Sequence, residues 1–338
     1  MRAADWPPTP RKKRVRALIL PGLSMAVLAA LVALPLWLWN RPLGPRLQAV
    51  SAEPVASLSL LEPVEPPLCG GPPDLLIMAI AIDTEAETEN RSFADVIRLV
   101  RVDFVHAAAT MIPIPRDLWV PIPGAEDIGV SESRISAVYA YGNRYRGLGS
   151  GALLVADVLA EQFAFVADRY VVFDFAAFAA GIDAIGGVDI YLPEAIDATD
   201  EGLAYIPAGW NHLDGQRALA YARARPDNTS DLARIERQTR LIQAIQQRVT
   251  SPQVLPSLPR LAQSMRDSVL TDLSPSEISM LLCVGRKMDA DDIHVIDLDG
   301  SMYTSSTDQY GHQRLLPDRQ AITAFLRAFR SGNLVPGG

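Results

Sequence analysis

Ala17 to Trp39 is a run of 23 residues with no charged side chain, rich in Leu, Ala and Val. Its length spans a hydrocarbon core with some tilt. Such a run divides the chain, because the residues before it and those after it then face different sides of a bilayer. Residues 1–16 carry Arg2, Arg11, Lys12, Lys13, Arg14 and Arg16 against Asp5 alone, a net +5; removing this from the chain's −8 leaves −13 for the remainder. Basic residues before the span predict a cytoplasmic tail (1–16), a transmembrane helix (17–39) and an exported main domain. Trp37 and Trp39 stand where interfacial aromatics belong. A cleaved signal peptide is the alternative, but the run is long for one and no A-x-A site precedes Asn40-Arg41-Pro42.

Residues 40–73 hold Pro42, Pro45, Pro54, Pro63, Pro66, Pro67, Pro72 and Pro73. This composition predicts a semi-rigid, extended extracytoplasmic stalk. The acidic exported part argues against a nucleic-acid partner. Two cysteines occur, Cys69 and Cys283. Outside the cytoplasm they would form a disulfide. Cys283 also sits beside Ile278, Leu281 and Leu282, which suits a buried free thiol equally well.

Beyond the stalk, apolar runs and helical stripes alternate, which predicts an α/β domain. Leu75–Ile82 reads as a buried strand ending at Asp83. Val96–Val105 and Ala107–Ile114 read as strands, the latter ending at Pro115-Arg116-Asp117. Charged residues just past strand ends are where ligands sit in open α/β sheets. Gly151–Gln162 reads as a helix. Tyr170–Phe173, Phe175–Ile185 and Val188–Leu192 read as a βαβ-like unit, whose helix is poor in bulk. Those small residues allow close helix packing, or room for an apolar ligand. Residues 194–213, with Trp210, read as an irregular surface loop. Ser274-Pro275-Ser276-Glu277 is a capping box opening a helix to about Lys287. Ile293–Leu298 reads as a strand and Pro317–Phe329 as a last helix.

The segment Tyr221–Gln238, YARARPDNTSDLARIERQ, concentrates positive charge in an acidic chain. Arg223 and Arg225 are two apart, and an extended piece would put both on one face with Leu219 and Tyr221. Pro226 breaks the pattern, and a helix runs from about Asp231 to Val249. Ile235, Leu241, Ile242, Ile245 and Val249 form its apolar face, with Asp231, Arg234 and Gln238 at the N-terminal end of that face. Buried guanidinium groups are costly without an anion. A helix N-terminus favours the same charge, and Arg forks match phosphate oxygens. The competing reading is a salt-bridge network in which Arg234 or Arg237 pairs with Asp231 or Glu236.

No Ser-His-Asp elbow, HExxH, P-loop or GxGxxG is present, and His106, His212, His294 and His312 are scattered. What remains is arginine with carboxylates. Asp83 and Asp95 would hold a hard divalent cation, with phosphate completing its shell. The alternative is that they cap strand ends or pair with Arg91 or Arg98. Phosphoryl transfer needs mainly positioning and charge stabilisation.

IPRDLWVPIPG (114–124), RISAVYAYG (134–142), YVVFDFAAFAAGIDAIGGVDIYLP (170–193), HLDGQRALAYARAR (212–225) and DLARIERQ (231–238) together resemble the LytR-CpsA-Psr family of bacterial envelope proteins. The resemblance covers roughly residues 75–250. It implies a three-layer α/β/α sandwich with a central mixed sheet, spanning 74–250, with 251–338 as an extension packing on it. It also implies transfer of a glycan phosphate from a polyprenyl-pyrophosphate carrier to peptidoglycan or another wall acceptor, assisted by Mg²⁺. By position, Arg116, Arg223, Arg225, Arg234 and Gln238 match residues around the pyrophosphate, with Arg237 a further binding candidate and Arg116, Arg223, Arg225 and Asp95 the catalytic set. Asp83 and Asp95 match the metal-side carboxylates. The chain departs from the family at Phe93-Ala94-Asp95-Val96, where Arg-Ser-Asp-Thr is usual, so Phe93 replaces an Arg. It departs again at Ala81-Ile82-Asp83, where Gly-x-Asp is usual. Arg91 is the nearest substitute in sequence. An impaired enzyme that only binds the lipid carrier is therefore a second expectation, and a purely structural envelope protein a third.

Overall fold

The computed structural model describes residues 40–47, 65–83, 92–124, 131–197, 199, 205–224, 231–251, 254, 269–307 and 313–334. The run 17–39, and with it the membrane span, lies outside them. Among the described residues no helix is long and apolar enough to cross a membrane.

The uninterrupted hydrocarbon that begins at Leu75 becomes an inner strand of a mixed sheet. In chain order the elements are β1 (Asp74–Ile82), β2 (Ala94–Asp103), β3 (Ala108–Ile114), β4 (Trp119–Pro121), β5 (Glu132–Arg134), α1 (Ile135–Tyr145), α2 (Gly151–Phe163), β6 (Arg169–Asp174), α3 (Phe175–Ala184), β7 (Val188–Leu192) and β8 (Gly209–Leu213). Then come α4 (Gly215–Arg223), α5 (Asp231–Thr250), β9 (Val269–Thr271), α6 (Pro275–Gly285), β10 (Ile293–Val295), β11 (Tyr303–Thr307), β12 (Gln313–Pro317) and α7 (Arg319–Arg330). The central sheet has six strands in the order β10-β3-β2-β1-β6-β9. β1 pairs antiparallel with β2 and parallel with β6, so the sheet is mixed.

Strand alternation places successive β1 side chains on opposite faces. Leu76, Met78 and Ile80 pack into a core with Val138, Val155, Leu159 and Leu326, from α1, α2 and α7. Leu75 and Ile77 pack on the other side with Val284 of α6 and Met288. A separate core joins α3, α4, α5 and the β7–β8 ribbon through Ile182, Ile190, Leu213, Tyr221 and Leu241. The strands β9 and β10, from the part of the chain after residue 250, are the two edges of the central sheet.

Several expectations are corrected. Residues 215–223 are helical, not extended, so Leu219, Tyr221 and Arg223 do not share a strand face. The Asp214 side chain caps α4 by accepting from the Arg217 N–H, and the alanines of α4 are strong helix formers. No βαβ unit forms between β6 and β7. β7 pairs antiparallel with β8 in a ribbon of its own, and β8 occupies the end of the segment read as irregular. Nor do the described ends of the stalk stand clear of the domain. The Leu43 N–H donates to the Leu273 carbonyl at 3.2 Å. The Tyr170 hydroxyl donates to the Pro45 carbonyl at 3.0 Å, and the Ser276 hydroxyl to Asn40 at 3.0 Å. Further along, Leu68 donates to the Phe104 carbonyl at 2.7 Å. Cys69 and Cys283 are joined in a disulfide with Cα atoms 5.9 Å apart, which decides between the two readings of these cysteines.

Candidate functional site

β1 and β6 run parallel, and Ile82 lies opposite Asp174, so both strands end at the same sheet edge. β2 starts at this edge and β3 finishes there, since β2 is antiparallel to β1 and β3 is antiparallel to β2. Asp83, Asp95 and Arg116 are thereby gathered from three strand ends. A register shift aims Asp95. Ala81 pairs with Val96 and Ile82 with Ala94, leaving Asp95 as the extra residue of a bulge. Bulges of this kind redirect a side chain away from the ladder.

Each carboxylate meets a guanidinium. Arg116 donates to Asp95 at 2.9 Å, with the two side chains 35% and 28% exposed. Arg223 lies 3.4 Å from Asp83. Its guanidinium also stands 4.9 Å from the centre of the Phe175 ring at the start of α3, a cation–π arrangement. Arg223 is the last residue of α4, and α5 fixes that end. Arg237 donates to the Ala224 carbonyl and Gln238 to the Ala222 carbonyl at 3.4 Å. These carbonyls are ones a helix terminus leaves open.

Arg98, in the body of β2, was not anticipated as a site residue. It is 5% exposed and donates to Gln238 Oε1 at 2.8 Å, tying the sheet to α5 beside Arg223. The signal in the sequence was a charge in the middle of a strand buried by its neighbours. Phe93, at the position of the missing family arginine, is 50% exposed. Arg91 and Arg225 lie outside the described residues, as does the side chain of Arg234.

The small-residue helix α3 packs closely, in line with the first of its two readings. A Cβ on Gly215 would lie 2.0 Å from the Ala179 carbonyl oxygen, so α4 approaches α3 at backbone distance. A surface cavity of about 510 Å³, lined by Pro72, Asp168, Arg169, Glu277 and Arg330 among others, opens at the other end of β1 and β6. It contains none of the residues above, and its charged lining residues include Arg169 and Glu277, paired with each other, Asp74, paired with Arg101, and Asp168, which accepts from the Leu76 N–H. The arginine-rich sheet edge is the better candidate.

As a metal centre the edge is incomplete by itself. Among the described residues no group of three or more His, Cys, Asp or Glu side chains converges. Two neighbouring carboxylates with the remaining positions left to phosphate oxygens and water is nonetheless how Mg²⁺ is usually held. Asp83 and Asp95 fit that donor set.

Comparison with known proteins identifies relatives and a shared fold. The chain is 27% identical over 206 residues to the polyisoprenyl-teichoic acid–peptidoglycan teichoic acid transferase TagV of Bacillus subtilis, covering 60% of this chain and 50% of that protein. It is 25% identical over 202 residues to the regulatory protein MsrR of Staphylococcus aureus, covering 60% and 58%. The matches thus span only about half the length of these relatives. The crystal structure of B. subtilis TagV superposes with a TM-score of 0.61 at 22% identity, covering 77% of this chain and 97% of that one. A structure of TagT bound to LIIa-WTA gives 0.60 at 21%, covering 84% and 97%. These superpositions establish a shared fold. The LytR_cpsA_psr family model matches residues 63–326, running past the boundary at 250 where the motifs end and through β9, β10 and most of α7. With that match over more than half of its length, the chain belongs to the LytR_cpsA_psr family.

Proposed function

We propose that this protein transfers a glycan phosphate from a polyprenyl-pyrophosphate carrier to peptidoglycan or another wall acceptor. It does so outside the cytoplasm, anchored through residues 17–39. The observation that carries the reading is the meeting of two half-buried Arg–Asp pairs, Arg116–Asp95 and Arg223–Asp83, at one sheet edge. The teichoic acid transferase named among the relatives and the LIIa-WTA bound by a protein of the same fold support the choice of donor and acceptor. The disulfide supports an oxidising compartment.

In the proposed reaction an acceptor hydroxyl oxygen attacks the phosphorus that bears the glycan. The bond from that phosphorus to the bridging oxygen breaks, polyprenyl phosphate leaves with the electron pair, and the hydroxyl proton passes to a carboxylate of the site. Arg116 and Arg223 neutralise the phosphate oxygens and hold them in line. Arg225 and Arg234 are proposed to join them. Arg237 and Gln238 act by holding the end of α4. Mg²⁺, bound by Asp83 and Asp95, would supply further charge neutralisation. Arg98 holds Gln238 from inside the sheet.

The test is transfer from a polyprenyl-pyrophosphate-linked glycan, monitored as release of polyprenyl phosphate with Mg²⁺ and with chelator. Arg116→Ala and Arg223→Ala should each reduce the rate by roughly 10²-fold or more, and chelation should abolish it. Normal transfer by both variants would overturn the assignment. The exposed Phe93 favours a second reading, a lipid-carrier-binding protein without turnover. Tight donor binding with no polyprenyl phosphate released by the unaltered protein would select it.

A further inference from the structure

The segment 40–47 is strapped along the β9 edge of the central sheet. The Ser276 hydroxyl donates to Asn40 at 3.0 Å, the Leu43 N–H to the Leu273 carbonyl at 3.2 Å and the Leu47 N–H to Asp272 at 3.4 Å. A Cβ on Gly44 would lie 2.5 Å from the Thr271 carbonyl oxygen, so the two backbones touch there. Leu47 packs on the main core, as Leu270 of β9 does, while Leu43 is left 61% exposed.

Against β9, the turn between α1 and α2 displays a leucine. Gly147 and Gly149 have φ +100° and +86°, conformations that favour glycine. The Asn143 side chain accepts from the N–H groups of Gly149 at 3.1 Å and Gly151 at 2.9 Å, which fixes the turn. Leu148, between the two glycines, is 66% exposed, and a Cβ on Gly149 would lie 3.9 Å from the Leu270 side chain. Tyr145 is 49% exposed. It stacks on Tyr141 with ring centres 6.0 Å apart, and the Arg144 guanidinium stands 5.5 Å over its ring. The segments 40–47 and 141–151 together hold Arg41, Arg46, Arg144 and Arg146 and no carboxylate, although the chain beyond residue 16 is acidic. Arg146 is paired with Asp157. Apolar groups held rigidly in water among cations indicate an anionic, amphipathic partner.

We propose that Leu43, Tyr145 and Leu148, with Arg41, Arg46 and Arg144, form a seat that rests on the anionic lipid headgroups of the leaflet from which the chain emerges. The inference rests on the anchored reading given above, in which residues 17–39 span the bilayer. The apolar run ends at Trp39, and the next residue, Asn40, is already fastened to Ser276 of α6. Consecutive Cα atoms are about 3.8 Å apart, so no free spacer lifts this edge of the domain off the headgroups. The chemistry matches that boundary. Leucines and an interfacial tyrosine enter its apolar side, and guanidinium groups meet lipid phosphates. A second copy of the chain is disfavoured as occupant, because three exposed apolar side chains fall far short of the roughly 800 Å² per partner of a stable interface. The seat fixes how the domain, and with it the arginine cluster, is turned towards a membrane-borne donor.

The test uses the full chain reconstituted in lipid vesicles, with flotation measured first. Both native cysteines are in the disulfide, so Leu148→Cys supplies a single thiol for an apolar nitroxide spin label. Tyr191→Cys, at an exposed position of the β7–β8 ribbon, supplies a reference label. Accessibility to a water-soluble nickel chelate and to oxygen reports each label's depth. On phosphatidylglycerol vesicles the label at 148 should be severalfold less accessible to the chelate than the label at 191, and more accessible to oxygen. That protection should weaken on phosphatidylcholine vesicles and in the labelled chain carrying Arg46→Glu and Arg144→Glu, with thermal melts checking that each variant folds. Equal accessibility at the two positions, or protection undiminished by neutral lipid and by charge reversal, would overturn the seat. So would protection that grows with the number of chains per vesicle, which would identify a second copy as the occupant. A chain that does not float with the vesicles overturns the anchored reading and the seat with it, whereas one that floats with a water-exposed label at 148 overturns the seat alone. Neither donor nor metal is present, so the outcome is independent of whether Arg116 and Arg223 catalyse transfer.

Discussion

Arg223 is held from several sides before any ligand arrives. Asp83 lies against its guanidinium, the Phe175 ring stands under it, and Arg237 and Gln238 pin the backbone that carries it. A planar, delocalised guanidinium meets the carboxylate with its edge and the ring with its face, which a compact ammonium does less well. Arg223→Lys keeps the charge but loses the fork and the stack, so transfer should fall roughly tenfold or more while folding is retained. Transfer at the unaltered rate would mean that charge alone matters there. The other decisive residue carries no side chain. Gly215 lets α4 approach α3 so closely that a methyl group would overlap the Ala179 carbonyl oxygen. Gly→Ala in a helix ordinarily gains up to about 1 kcal/mol, but forcing packed backbones apart costs about 1–3 kcal/mol or more. Gly215→Ala should therefore be net destabilising, seen as a lower urea midpoint. Transfer should fall with it, because α4 positions Arg223.

At the scale of elements, α6 shows how one helix start couples to the sheet. Glu277 closes the capping box with Ser274 and accepts from Arg169 of β6 at 2.9 and 2.6 Å. Burial pushes the Glu277 pKa up, but the hydrogen bonds from Arg169 and Ser274 and the Arg169 charge outweigh it, leaving the carboxyl below its ordinary value. A depressed carboxylate contributes stability above its unfolded pKa, about 4.3, and loses it as pH falls through the lower folded value. Glu277→Gln should lower unfolding free energy at pH 7 by about 1–3 kcal/mol, and the gap should close as urea midpoints are taken towards pH 3. A gap unchanged with pH would remove charge from the account. This capping box was legible in the sequence because its residues are adjacent and act locally. The buried strands β1, β2, β3 and β6 were legible from uninterrupted hydrocarbon. The helix α4 was not, since alanine at every second position gives period two without bulk to mark a face. The pairing of β7 with β8 joins segments separated by a loop, and three-residue strands such as β4 and β9 are too short for any period. Asp83 and Arg116 were visible as charges closing apolar runs and Arg223 as one of a crowd, whereas Asp95 was picked out by the family resemblance. Arg98 was hidden because its partner, Gln238, lies 140 residues away.

In the whole molecule, the chain enters at one end of the sheet and does its proposed work at the other. Asn40 and Leu43 dock at Ser276 and Leu273, near Arg169 where β6 begins, whereas the arginine cluster adjoins Asp174 where β6 ends. The Cys69–Cys283 disulfide fastens the entry end, closing a sequence separation of 214 residues around every candidate site residue. A cross-link over so long a loop acts chiefly by narrowing the unfolded ensemble, and its stabilisation grows with the logarithm of loop length. Replacing both cysteines by alanine should therefore lower unfolding free energy by about 2–5 kcal/mol. The arginine cluster lies at the opposite sheet edge, so transfer measured well below the unfolding temperature should change little. Dithiothreitol should bring the unaltered protein to the same urea midpoint as the double variant and leave the variant unmoved. If the midpoint of the unaltered protein does not shift on reduction, the cross-link contributes nothing and the packing of α6 on β1 holds that end alone.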